Sequence, residues 1–265
     1  YTCNLLLRRI VLNNGYKKDI ADDITFRGAI GGIVGAKLYY MLENISSGYA
    51  LNNLNGLINI FKGLFTFDFE LLSSGIQNFG SGMVFLGGLV GGTIAVTLYI
   101  YKHNLIWNTV ADWVAPLIAL GHSIGRVGCF IVGDDYGEPT ALPWGIKFDN
   151  WLPISNAFNL RSMGVEIDDS ILGSTVLSVH PTQLYEMALY LMIFIYLSKL
   201  KTTNLFKYSG QLMHEYLFLA GFVRFVIEFI RLNPSYILGL SGAQIISLIM
   251  MGVGSLLFYK ESAKL

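Results

Sequence analysis

Six runs of mainly apolar residues, at 26–42, 83–101, 113–123, 181–197, 212–230 and 237–259, constrain what this chain can fold into. Roughly 17 to 25 such residues are needed to cross about 30 Å of hydrocarbon, and at that depth each backbone amide must be paired within the protein. Only 14% of the residues are charged, against about 25% in a soluble domain. The fold class expected is therefore all-α and integral to a membrane. It would be a single domain over 1–265, a polytopic bundle of about seven transmembrane helices. The first helix reads as truncated, because residues 1–7 resemble the tail of an apolar segment followed by Arg8 and Arg9. No cleavable signal peptide is read, since the charges follow the apolar residues. The third run is short unless it begins near Leu105, and it carries Asp112 close to one end.

Lysine and arginine concentrate in cytoplasmic loops. Arg8, Arg9, Lys17 and Lys18 precede the first complete run, Lys102 follows the second, Lys199, Lys201 and Lys207 follow the fourth, and Lys260 and Lys264 end the chain. Alternating crossings place all of them on one face. Residues 45–81, 124–180 and 231–236 then lie outside. The segment 124–180 is expected to form a small extracytoplasmic cap with some β structure, since it holds Pro139, Pro143 and Pro153 and only short apolar pieces. Segment 45–81 reads either as a piece lying in the interface with Phe and Leu toward lipid or as an ordinary outer loop. Gly28, Gly31, Gly32 and Gly35 in one run, and Gly87, Gly88, Gly91 and Gly92 in the next, let helix backbones approach closely. Gly87 and Gly88 are also candidates to leave room for a lipid.

The stretch 121–148, GHSIGRVGCFIVGDDYGEPTALPWGIKF, opens outward and carries Arg126, Cys129, Asp134, Asp135 and Glu138 on Gly-rich backbone. Irregular backbone at membrane depth persists only where protein or water covers it, so a pocket is expected there. Arg224, Glu228 and Arg231 recur at spacings of four and three, on one helical face. Such charges cost roughly 2.5 to 3.5 kcal/mol each at a membrane helix centre, so the face must be buried against partners. Glu228 is either a structural counter-ion between two arginines or the group that orients one while the other holds an anion. Arg126 either snorkels to the interface or joins Arg224 in gripping an anionic head group, for which a planar guanidinium is suited. HPTQLYE at 180–186 begins a further run, with Pro181 placed for a first helical position and His180 for the N-cap. Its amides would favour the same anion, while capping and packing would equally account for His180, Gln183 and Glu186. Lys37 is an interior cation or a snorkelling one.

Net charge is +0, which leaves no basic excess for nucleic acid. The four His are dispersed, so neither a metal site nor a cofactor is expected. Cys3 and Cys129 fall near opposite faces, too far apart for a disulfide.

These residues resemble those of the prolipoprotein diacylglyceryl transferases. The likeness runs through 31–39, 82–89, 112–145, 180–186 and 220–231, and is strongest in GRVGCF with YGEPTALPWG, in HPTQLYE, and in the GxxRFxxEFxR pattern at 221–231. It implies a multi-pass enzyme of the bacterial inner membrane that moves diacylglyceryl from phosphatidylglycerol to the lipobox cysteine thiol of a preprolipoprotein signal peptide, leaving a thioether. By that resemblance Arg126, Arg224, Glu228 and His180 are the catalytic candidates. Arg126, Gly128, Cys129, Gly87, Gly88, Tyr185 and Arg231 are the candidates for substrate binding. The sequence departs from the family pattern where a His is common and Leu86 stands, where Asn is common and Cys129 and Val132 stand, where Glu is common and Asp134 stands, and where Tyr is common and Ala220 stands. With that His absent, His122 joins His180 as a candidate base. Two rival readings are an inactive lipid-binding or assembly homologue and a small transporter. The absence of an internal repeat weighs against the second.

Overall fold

The computed structural model describes residues 1–264 except 46–48, 81, 83, 150–152, 204, 234 and 238. Ten α-helices are described: α1 (Thr2–Asn13), α2 (Asp19–Glu43), α3 (Tyr49–Thr66), α4 (Phe69–Gly80), α5 (Phe85–Lys102), α6 (Trp107–Val132), α7 (Ala157–Ser162), α8 (Thr182–Thr202), α9 (Gln211–Ile227) and α10 (Gly242–Ser262). A two-stranded hairpin, β1 (Ser235–Ile237) and β2 (Leu240–Ser241), precedes α10. Helices α6 and α10 are long and apolar enough to cross a membrane, and α5 is a shorter apolar helix. The chain divides into two compact units, Arg8–Trp107 and Tyr1–Leu7 with Asn108–Leu265.

In the first of these units α2 and α5 pack through their glycines. A Cβ on Gly35 would collide with the carbonyl oxygen of Gly87, and one on Gly31 would stand 2.7 Å from that of Gly91. Close backbone approach of this kind is what small residues permit between membrane helices. Lys37 is buried and donates to the Gly82 carbonyl at 3.2 Å, with Phe79 4.8 Å away, so it is an interior cation and not a snorkelling one. The described part of 45–81 is a helical hairpin. A Cβ on Gly56 would meet Phe79 N at 2.7 Å and one on Gly63 would meet Leu72 N at 2.6 Å, which makes α3 and α4 antiparallel. The apolar residues left outside include Phe61, Leu64, Phe65, Phe67 and Phe69. The hairpin thus carries an exposed apolar face.

The second unit is built around α6, α8 and α9, whose buried faces meet in one core. Ala115 and Ala119 of α6 face Tyr190, Ile193 and Leu197 of α8 and Leu212, Tyr216, Ala220, Val223 and Ile227 of α9. Asp112 joins two helix beginnings: its carboxylate accepts from Gly210 N at 2.6 Å and from Met213 N at 3.3 Å, capping α9 from the first turns of α6. Gly210 can serve here because its φ is 101°, in the left-handed region. Helix α10 packs on α9, where a Cβ on Gly254 would stand 2.7 Å from the His214 carbonyl.

Several boundaries differ from the sequence expectation. The third run, expected over 113–123 with irregular backbone after it, is helical from Trp107 to Val132. Gly121, Gly125 and Gly128 stay in the helix, since pairing each amide outweighs the roughly 1 kcal/mol that a helical glycine costs. The part of the chain expected as a cap over 124–180 is therefore non-helical only from Gly133. Among the described residues of 133–180 it has the short α7 and isolated bridges such as Pro139 to Val179 and Ile146 to Val179. Tyr136, Phe148, Leu160 and Val179 form its small core. The last run starts at Gly242 instead of 237. The β hairpin takes the earlier residues, and Ser241 with Gln244 forms a capping box that fixes the helix start.

Candidate active site

One buried carboxylate organises the site. Helix α8 begins at Thr182, one residue later than the His-Pro pair suggested, and Thr182, Gln183 and Glu186 are all fully buried on its first turns. The Thr182 hydroxyl donates to the Asp135 carbonyl at 2.5 Å and the Gln183 amide donates to that of Asp134. These two contacts fix the chain just beyond α6. One turn further along α8, the Glu186 carboxylate receives Arg126 Nε on Oε2 at 2.6 Å and Arg224 Nη1 on Oε1 at 2.8 Å. Arg231 Nη1 stands 3.5 Å from Oε1, and His122 Nε2 lies 3.3 Å from Oε2. The His122 ring is stacked on Tyr190 with centroids 3.7 Å apart.

Two further carboxylates complete the cluster. Arg224 Nη2 reaches Glu228 Oε2 at 3.0 Å, and Glu228 Oε1 accepts from Asn233 Nδ2 and Ser241 Oγ, both at 2.7 Å. The α-helix stops at Ile227 and continues as a single 3-10 turn over Glu228–Ile230, yet the three charged residues still converge. Arg231 is aligned by a backbone bridge to Gly137, beside the amide of Glu138 donating to the Ile230 carbonyl. Asp135 spans the two outer arginines, with Oδ2 2.7 Å from Arg126 Nη1 and Oδ1 2.5 Å from Arg231 Nη2.

The three carboxylates differ in exposure. Glu186 and Glu228 side chains are 0% and 1% exposed, whereas Asp135 keeps 39%. Burial alone would push the Asp135 carboxyl up, but Arg231 and Arg126 outweigh it and hold it below the usual carboxylate range. The Arg231 side chain is 6% exposed, and its Nε and Nη1 are buried without a hydrogen-bond partner among the described residues. Its donors toward Glu186 and Glu228 stand off at 3.5 and 3.7 Å. This corner of the cluster has spare hydrogen-bonding capacity.

Arg126, Arg224, Glu228 and Arg231, named from the sequence, come together. Cys129 lies at their edge, with Sγ 3.7 Å from Arg126 Nη1. Its sulfur and the carboxylates of Asp134 and Asp135 lie within 4.8 Å of one another, with Arg126 and Arg231 both paired to Asp135. A Cβ built on Gly128 would meet nothing within 4 Å, so space is open on that side of α6. His180 and Tyr185 form a separate group: His180 Nδ1 is 3.3 Å from the Tyr185 hydroxyl, which also accepts from Trp144 Nε1 at 2.8 Å. Gly87 and Gly88 belong to the glycine-packed unit, where Gly87 meets Gly35 and Gly88 meets Gly32.

Sequence reasoning missed the central place of Glu186 and the bridging role of Asp135. It also missed Asn233 and Ser241, although the Ser-x-x-Gln spacing at 241–244 marks a helix start and could have drawn attention to Ser241.

A buried group of three guanidinium groups held by carboxylates can stabilise negative charge that develops nearby, because it is oriented in advance and little water competes. Comparison with known proteins gives the family. The profile of the prolipoprotein diacylglyceryl transferase family matches residues 2–260. A phosphatidylglycerol–prolipoprotein diacylglyceryl transferase of Clostridium tetani is 30% identical over 255 residues, covering 96% of this chain and 86% of that protein. Enzymes of the same name from Aliivibrio salmonicida and Nitrosomonas europaea are each 32% identical, covering 92% and 93% of this chain and 72% and 75% of theirs. The chain belongs to the prolipoprotein diacylglyceryl transferase family.

Proposed function

We propose that this protein is a multi-pass enzyme of the bacterial inner membrane that transfers the diacylglyceryl group of phosphatidylglycerol to the lipobox cysteine thiol of a preprolipoprotein. The substrate sulfur attacks the glyceryl carbon that carries the phosphate, a carbon–sulfur bond forms, and the carbon–oxygen bond breaks. Glycerol phosphate leaves with the electron pair. The observation that carries this reading is the convergence of Arg126, Arg224 and Arg231 on the buried Glu186. Leaving-group charge on phosphate needs such donors, and Arg matches the geometry of phosphate oxygens. Glu186 and Glu228 hold the guanidinium groups against one another. The thiol must lose its proton to become a nucleophile. His122 is the imidazole set against the cluster, 3.3 Å from Glu186, and is the group we assign to receive that proton.

Departures from the family pattern at Leu86, Cys129 and Ala220, together with guanidinium groups already paired by protein carboxylates, support a rival reading as a lipid-binding homologue without turnover. Incubation with phosphatidylglycerol and a lipobox peptide separates the two. A peptide mass increase equal to one diacylglyceryl group is expected from the wild type, and no increase from folded Arg126→Ala or Arg224→Ala. Lipid binding with no modified peptide would select the rival.

A further inference from the structure

We infer that the Asp135 side chain is a stand-in for the substrate phosphodiester, which swings away when the lipid head group binds to Arg126 and Arg231. The inference rests on the proposed function above, since it names the part of the same site that the head group takes. Four observations carry it. Asp135 presents one oxygen to each of two arginines, at 2.7 and 2.5 Å, the two-point grip that a phosphodiester makes with its two free oxygens. It is the exposed member of the three carboxylates, at 39%, so its side chain has water to move into, while Glu186 and Glu228 do not. Its backbone is fixed by the Thr182 hydroxyl and has a φ of 62°, so the residue can release the arginines without moving the chain. Arg231 holds two further buried donors, Nε and Nη1, that have no hydrogen-bond partner among the described residues.

Charge favours the same exchange. Arg126, Arg224 and Arg231 are ion-paired with Glu186, Glu228 and Asp135, and the carboxylate of Asp134 lies beside them. Departure of Asp135 leaves one positive charge of the Arg126 and Arg231 pair without its counter-ion, which a phosphodiester monoanion replaces. A neutral lipid would leave that charge unpaired at a largely buried place, which is costly. Asp135 thus sets a threshold: a ligand must bring an anion of its own to replace the carboxylate it displaces. It also lowers apparent affinity in proportion to the time it occupies the arginines.

The test measures binding of dihexanoylphosphatidylglycerol and, separately, of glycerophosphoglycerol to detergent-solubilised wild type, Asp135→Asn and Asp135→Glu, together with kcat and KM for peptide modification. Asp135→Asn is expected to bind about tenfold more tightly, as when a competing conformation holding some nine-tenths of the population is removed. The gain should appear in KM for the lipid more than in kcat. Asp135→Glu keeps the charge and should stay within about twofold of wild type, again by the competent fraction. A gain for both probes locates recognition in the head group, and a gain for the lipid alone shows that acyl chains are also required; either supports displacement. Wild-type binding with equal or weaker binding by folded Asp135→Asn overturns the inference and leaves the proposed function standing. Asp135→Glu binding as tightly as Asp135→Asn also overturns it. Failure of the folded wild type to bind either probe overturns the proposed function itself.

Discussion

Arg126 and Arg224, on helices far apart in sequence, close on different oxygens of one carboxylate, Glu186, at 2.6 and 2.8 Å. Each guanidinium then has a second carboxylate, Asp135 for Arg126 and Glu228 for Arg224. The arrangement is a chain of alternating charge, and its members depend on one another.

Glu186→Gln should therefore both destabilise the fold and remove activity. The substitution keeps the shape but leaves three arginines with two carboxylates. Breaking a buried pair by removing one partner costs about 3–5 kcal/mol. Denaturant titration in detergent measures the stability, and peptide modification measures the activity. Wild-type values for both would contradict the central role given to Glu186.

Asp112→Ala should weaken the fold by about 0.5–2 kcal/mol, the range for loss of a helix N-cap. Its carboxylate accepts the Gly210 and Met213 amides, which then lose their partner. Asp112→Asn retains an acceptor and should cost less. Thermal unfolding of the two variants side by side checks the order, and equal melting would show that the cap contributes nothing.

Stability should depend on pH through Asp135. Its folded-state pKa lies below the unfolded value of about 3.9, so its contribution is complete above that value and is lost as pH falls through the folded pKa. The groups facing it are Arg126 and Arg231, with Cys129 and Asp134 beside them. Without ligand, Asp135→Asn should melt below wild type at pH 6, and the gap should close only at the acid end. Because Asp135 is part exposed, solvent screening keeps the gap small. A gap that does not change with pH would rule out the ionised pair as its source.

Gly35→Val should disrupt packing between α2 and α5, because its Cβ has the Gly87 carbonyl in its place. Overpacking of this kind costs about 1–3 kcal/mol. Lower yield and an earlier melting transition in detergent are the expected signs. Gly80→Ala, whose Cβ would have nothing within 4 Å, serves as the comparison.

The helices were legible because apolar runs of that length leave few alternatives, and the runs at 26–42, 83–101, 181–197 and 212–230 fall on α2, α5, α8 and α9. The Arg224, Glu228 and Arg231 row was legible because its spacing keeps the charges on one face. Glu186 was not, since a carboxylate in the first turns of a helix is ordinarily accounted for by that helix's own amides. Its actual partners come from helices distant in the chain, and spacing along one element carries no trace of them. Asp135 was hidden for a related reason: a left-handed backbone and two hydrogen bonds from α8 aim it, and neither can be read from neighbouring residues. The extent of α6 was misjudged because its glycines read as irregular backbone.

The cap that Asp112 places on Gly210 gives the molecule a ruler. From that shared starting line α6 and α9 run the same way, and Arg126 and Arg224 each stand fourteen residues further on, about 21 Å at the usual rise. One residue added to either interval would swing its guanidinium by about a third of a turn away from Glu186. Length changes in this protein should be rejected in both measured intervals.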